Sequence, residues 1–301
     1  MRHNFPKIVI TTTFLLVLFL MAACESKQTP VVEFVEVTQE VEITKIVEVT
    51  REVEVTVIVT ATPTPVTPTP TPIPTATSTP LPIVDYSTEI VSFTTEDGYT
   101  LEGNLFLSEG NTAVVFAHMA GGDNDQQNWI PTAKQVAKRG FTSLTFNFRC
   151  YGNSECGGSG SGSILLSRDL SAAYDFLSGK GFERIVCIGA SMGGRGCINL
   201  SFDRKLDGIV IVAGTGSSDP ERQNLEDSIY PDMSKLFIVS KDDHITDRTQ
   251  AMTLLYEGAP EPKTFITYPG SAHGTELLDT QYGQALRELL YAFLGGISSS
   301  E

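Results

Sequence analysis

Hydrophobic positions along this chain fall into four successive rhythms. Residues 8–23 carry no charge and follow Arg2 and Lys7, which suits the core of a secretory leader and is short for a bilayer span. From Val35 the chain repeats every six residues as VEVTQE, VEITKI, VEVTRE and VEVTVI. Val and Ile alternate there with Glu or Thr, a period of 2 that marks strand-like backbone. No Asn-Gly or similar turn signal breaks it, so an extended stalk or weak self-association is expected over a packed domain, with a hairpin as the other possibility. Residues 61–82 then hold eight of the sixteen prolines, alternating with threonine. Proline fixes φ and removes the amide donor, so this stretch is expected to be semi-extended polyproline II at ~3.1 Å per residue.

The fourth rhythm begins near residue 83 and alternates strand and helix. Residues 90–94 and 99–107 read as two strands joined by Asp97-Gly98, a hairpin signal. Apolar runs at 113–117, 142–146, 184–188, 209–212, 236–239 and 264–267 read as six further strands. Helical spacing occurs at 126–139 (Trp129, Ala133, Val136, Ala137), at 164–177 (Leu166, Leu170, Ala173, Tyr174, Leu177) and at about 281–294. Apolar strands alternating with helices predict an α/β domain: a mostly parallel central sheet with helices on both faces and an antiparallel start. Four segments follow: a leader at 1–24, a Val/Glu/Thr repeat at 25–60, a Thr/Pro linker at 61–82 and the folded domain at 83–301.

Charge narrows the partners. The chain has 36 acidic and 21 basic residues, net −15, and the domain itself has 28 and 16, net −12. That balance argues against nucleic acid, which selects a basic face.

The chemistry is carried by Gly189-Ala190-Ser191-Met192-Gly193-Gly194, a G-x-S-x-G between a predicted strand and a predicted helix. Glycines allow the sharp turn that lifts a serine side chain above a sheet edge. Serine needs a base, and the chain has four histidines. His3 is in the leader, His118 follows an early strand, and His244 sits beside Asp242 and Asp243. His273, in a Gly-rich loop after the last strand, is the expected base. Asp242 and Asp243 both follow the 236–239 strand and are the candidates for the carboxylate that orients it.

The order Ser…Asp…His is that of the α/β hydrolases, and residues 83–301 resemble that family in its dienelactone-hydrolase or small-esterase form. The resemblance implies a catalytic triad of Ser191, His273 and an acid. Asp243 is the acid if Ser240 stands for the glycine of the family's G-x-x-D, and Asp242 if the turn is one residue tighter. It also implies an oxyanion hole from the Met192 N–H and from the loop His118-Met119-Ala120-Gly121-Gly122, with Ala120 the donor and Met119 the fallback. Met119 departs from the family's glycine, and His118 is expected to be structural. Phe146–Gly158 resembles the family's F-R-G-x-G-x-S loop, with Cys150 at a usual glycine and Cys156 six residues on, a disulfide candidate in an exported protein. Cys187 and Cys197 read as buried apolar thiols. No metal cluster has ligand spacing, and no cofactor is expected. About 23 residues separate the 209–212 and 236–239 strands, which leaves room for a minimal cap and an open site.

Leu20-Met21-Ala22-Ala23-Cys24 resembles a bacterial lipobox. That implies acylation of Cys24 and an extracytoplasmic domain held to the cell membrane by a lipid anchor. The expected function is a membrane-anchored serine hydrolase of carboxylic esters acting through an acyl-enzyme. A peptidase or amidase of the same fold, and a non-catalytic surface-binding protein, are the alternatives.

Overall fold

A computed structural model describes residues 82–299, apart from positions 161, 218, 220, 221, 223 and 229. The leader, the repeat and all of the linker but Pro82 lie outside the described residues, and so does Cys24.

Eight strands form one sheet in the order β1-β2-β4-β3-β5-β6-β7-β8. β1 (Ser87–Thr94) and β2 (Thr100–Leu107) form the antiparallel hairpin closed at Asp97-Gly98, and β2 pairs antiparallel with β4 (Thr142–Phe146). β3 (Thr112–Ala117), β4, β5 (Arg184–Ala190), β6 (Gly208–Val212), β7 (Ser234–Ser240) and β8 (Lys263–Tyr268) run parallel. Every residue of β3, β4 and β6 is buried, which explains why their sequences are continuous apolar runs.

Successive side chains feed two separate cores, as the pleat requires. Val115, Cys187, Ile209, Ile211 and Phe237 pack on one face with Leu170, Leu177, Leu200, Met252 and Leu255. These come from α2 (Gly162–Gly179), α3 (Met192–Asp203) and α4 (Arg248–Glu257). Val114, Phe116, Val186, Ile188 and Val210 pack on the other face against α1 (Ile130–Ala137) and α5 (Gly283–Ser298), through Val136, Leu286, Leu290 and Leu294.

Some elements differ from the sequence reading. The helix expected over 126–139 is a 3₁₀ turn, Gln126–Asn128, followed by α1. Pro131 explains the break, because it lacks an amide donor and is accommodated in the first helical turn, where it sits. α4 was not read at all: only Met252 and Leu255 are buried in it, and Leu254 faces solvent. Between β6 and β7 the described residues include the 3₁₀ turn Leu225–Asp227 and no α-helix.

From β3 the chain moves outward to β4 on one side and then to β5 on the other. That reversal opens a crevice at the carboxyl ends of β3 and β5, where ligands bind in open parallel sheets.

Candidate active site

Ser191 occupies the turn between β5 and α3 with φ 49° and ψ −108°. A non-glycine residue there is strained by about 1–3 kcal/mol, which the surrounding packing must offset. Close backbone approach shows how. A Cβ on Gly189 would lie 2.3 Å from the Gly193 carbonyl, and one on Gly193 would lie 2.2 Å from the Ala117 carbonyl oxygen. The glycines of the motif therefore let α3 press directly onto the ends of β5 and β3. The Ser191 N–H donates to Val212 O at 2.8 Å, which pins the turn to β6.

A second lock was not anticipated. Cys187 and Cys197 are disulfide-bonded, correcting their reading as free apolar thiols. One lies on β5 and the other on α3, so the bridge closes a short loop around Ser191. The reading failed because cysteines ten apart meet only when a strand folds back onto the following helix. Cys150 and Cys156 are also bonded, across the loop after β4.

His273 follows β8. Its Nδ1 lies 3.0 Å from both Oδ1 and Oδ2 of Asp243, and the Asp243 carboxylate has no exposed surface. Asp242 is exposed and makes no such contact; of the two candidate carboxylates, Asp243 is the one the structure brings to His273. The loops after β7 and β8 are laced together. Lys241 N–H donates to Tyr268 O, Asp242 N–H to Gly270 O and His244 N–H to Ser271 O, while Ser240 Oγ donates to Ala272 O.

The loop after β8 also lies close to the serine turn: a Cβ on Gly274 would lie 3.4 Å from the Ala190 Cβ. His273 and Ser191 are thus each next in sequence to one of two residues that lie close together. Among the described residues Ser191 Oγ makes no hydrogen bond to His273; the structure builds the carboxylate–imidazole pair and delivers the serine to the same rim.

Glu276 was missed in the sequence. Its Oε2 accepts the His273 N–H at 2.8 Å and lies 3.2 Å from His244 Nε2. A Glu three residues into a helical turn is a capping signature, and that signal was available.

His118 is fully buried between Phe148 and Tyr151 and is not in the carboxylate–imidazole pair. Its Nε2 accepts the Phe148 N–H at 3.1 Å, so the ring is neutral there and Nδ1–H donates to Met119 O at 2.8 Å. Burial drives its pKa down to about 4, consistent with a neutral ring. In a trans peptide C=O and N–H point opposite ways, so clamping the Met119 carbonyl also aims the Ala120 N–H. Among the described residues neither Met119 N–H nor Ala120 N–H has an acceptor. The Met192 N–H opens α3, where helical amides have no partner in their own helix.

Beside Met192 lies a cavity of about 370 Å³, lined by Phe148, Tyr151, the Cys150–Cys156 bridge, Leu165 and Arg195. Its far wall is fixed by Arg149, which is almost fully buried and bonds Asp169 through Nε at 2.8 Å and Asp97 through Nη1 at 2.9 Å.

No family model matches the sequence. A protein of Escherichia coli O157:H7 called uncharacterised protein YfhR is 25% identical over 235 residues, covering 69% of this chain and 81% of its own. Among solved structures, the Pyrococcus furiosus esterase Pf2001 aligns with a TM-score of 0.57 at 18% identity, over 71% of this chain and 94% of its own. XC6422 from Xanthomonas campestris, described as a serine hydrolase without a lid, aligns with a TM-score of 0.58 at 18% identity, over 73% and 99%.

The fold is that of the α/β hydrolases. Within the α/β-hydrolase fold Ser191 stands after the fifth strand, Asp243 after the seventh and His273 after the eighth. Among the described residues the β6–β7 connection holds no α-helix that could cap the sheet edge.

Proposed function

We propose that this protein is a serine hydrolase that cleaves carboxylic esters through an acyl-enzyme. The observation that carries the reading is the Asp243–His273 pair, held by the laced loops beside a strained serine turn. With Nδ1–H committed to Asp243, Nε2 is the nitrogen that remains to take the Ser191 proton.

Ser191 Oγ attacks the ester carbonyl carbon as its proton passes to His273 Nε2. The tetrahedral oxyanion is met by the Met192 and Ala120 N–H groups, and each such donor contributes about 2.7–4 kcal/mol in enzymes of this type. His273 then gives the proton to the departing alkoxide. Water enters, loses a proton to His273 and attacks the acyl carbon, and Ser191 Oγ leaves with that proton from His273, releasing the acid and restoring the free serine. No cofactor enters the sequence.

Esters are favoured over amides by the esterase among the structural relatives. A panel of p-nitrophenyl esters and aminoacyl anilides tests this. Faster ester cleavage, abolished in Ser191→Ala, supports the reading. Preferential anilide cleavage would make the protein a peptidase or amidase, and no turnover of either would favour a binding protein.

We place the domain outside the cytoplasmic membrane, anchored through acylated Cys24. The lipobox-like sequence supports this, and so does the pairing of the other four cysteines as two disulfides, which persist in oxidising compartments. Membrane fractionation of Cys24→Ala checks it: the variant should become soluble.

A further inference from the structure

Charge around the candidate site is unevenly satisfied. Arg139, Arg149, Arg168, Arg204 and Arg222 each have a carboxylate within 4.0 Å. Arg195 and Arg248 do not: among the described residues neither guanidinium has an acidic partner, in a domain of net charge −12. The Nε of each is buried with no hydrogen-bond acceptor. A buried charged donor left without an acceptor is costly and points to a partner that arrives from outside.

Their placement says where. Arg195 is one helical turn after Ser191, its N–H donating to Ser191 O at 3.1 Å, and its side chain lines the cavity beside Met192. Arg248 opens α4, directly after the loop that carries Asp243. Its Nη1 donates to Gly214 O at 3.0 Å, and a Cβ on Gly214 would lie 3.6 Å from the Gly194 Cα. Arg248 therefore reaches the same first turn of α3 that bears Arg195. Burial pushes the Arg248 guanidinium below its ordinary pKa, the Asp243 charge acts against that, and the Arg195 charge adds to it. Two guanidinium groups that repel one another, each with a buried Nε lacking an acceptor, are relieved by an anion.

We propose that Arg195 and Arg248 form a carboxylate-binding subsite beside Ser191, so that the preferred substrates are esters whose acyl or alcohol arm carries a carboxylate. A planar guanidinium matches a carboxylate in geometry and charge, and the surrounding negative domain makes a local cationic pair selective rather than general. The substrate assignment rests on the serine-hydrolase reading; the anion site itself does not.

The test uses matched esters and a separate binding readout on the whole chain. Mono-p-nitrophenyl glutarate is compared with p-nitrophenyl pentanoate, and 4-carboxyphenyl butyrate with its neutral methyl ester. In at least one pair kcat/KM should favour the anion roughly tenfold to hundredfold, and Arg195→Gln and Arg248→Gln should each erase that preference. Calorimetry with glutarate should show binding to the native protein that either variant loses. Ester turnover with no anionic preference and no glutarate binding overturns the subsite and leaves the hydrolase intact. Glutarate binding lost in both variants, without ester turnover, keeps the anion site and removes the hydrolase. Preference retained in both variants overturns the proposal.

Discussion

His273 Nδ1 faces both carboxylate oxygens of Asp243 at 3.0 Å, while Asp243 Oδ1 also accepts the Ile245 N–H at 2.9 Å. The carboxylate is thereby fixed from its own loop as well as by the imidazole. Asp243→Asn offers an amide where the ring needs an acceptor and should lower kcat on the order of 10³–10⁴-fold. Asp242→Asn, on an exposed side chain, should change kcat less than about threefold. Equal losses in steady-state kinetics would mean the acid is elsewhere.

Met119 and Gly274 fill one space. Met119 is buried under the base loop, its Sδ 3.5 Å from Thr275 Oγ1, and a Cβ on Gly274 would lie 2.8 Å from that sulfur. Gly274 also has φ 55°, which costs an L-residue roughly 1–2 kcal/mol. Gly274→Ala should shift His273 and lower kcat/KM roughly tenfold to hundredfold. Adding Met119→Ala should recover part of that loss, because the collision is removed and the strain is not. A double variant no better than the single one would contradict this coupling.

His118 gives stability a pH dependence. The folded state holds its pKa near 4 against an ordinary 6.5, so between those values the unfolded chain binds more protons. Stability from this group is complete above pH 6.5 and falls as pH drops toward 4, by about 3 kcal/mol in total. In urea titrations across this range, His118→Gln should lose less stability on acidification than the native protein. Parallel curves would show that His118 does not govern it.

Arg149 joins the β1–β2 hairpin, α2 and the loop of the Cys150–Cys156 bridge through Asp97, Asp169 and the Gly157 carbonyl. Burial raises the Asp169 pKa, and the arginine opposes it. Arg149→Met leaves that carboxylate buried and uncompensated, and should destabilise the domain by about 3–5 kcal/mol. Arg149→Met combined with Asp169→Leu should cost less than the single change when measured by denaturant unfolding.

Much of this was readable in the chain because it is written in local pattern. Continuous apolar runs at 113–117 and 209–212 could only be strands covered on both faces, and the strand–turn–helix setting of Ser191 gave its motif meaning. His273 emerged by elimination among four histidines. What escaped depends on contacts distant in sequence or on mixed patterns. Which of Asp242 and Asp243 meets His273 depends on where the β8 loop laces the β7 loop. The Cys187–Cys197 bridge needed the fold-back of α3, and α4 hides two apolar side chains in a polar stretch. That Arg195 and Arg248 lack a carboxylate partner is invisible until every neighbouring carboxylate has been placed.

The central claim is that Ser191 is a nucleophile activated by His273. Fluorophosphonate labelling of the intact protein, with peptide mapping of the adduct, tests it most directly. The account predicts a single phosphonylated peptide containing Ser191, at a rate that falls by orders of magnitude in His273→Ala. An unlabelled Ser191, or labelling that is indifferent to His273, would contradict it.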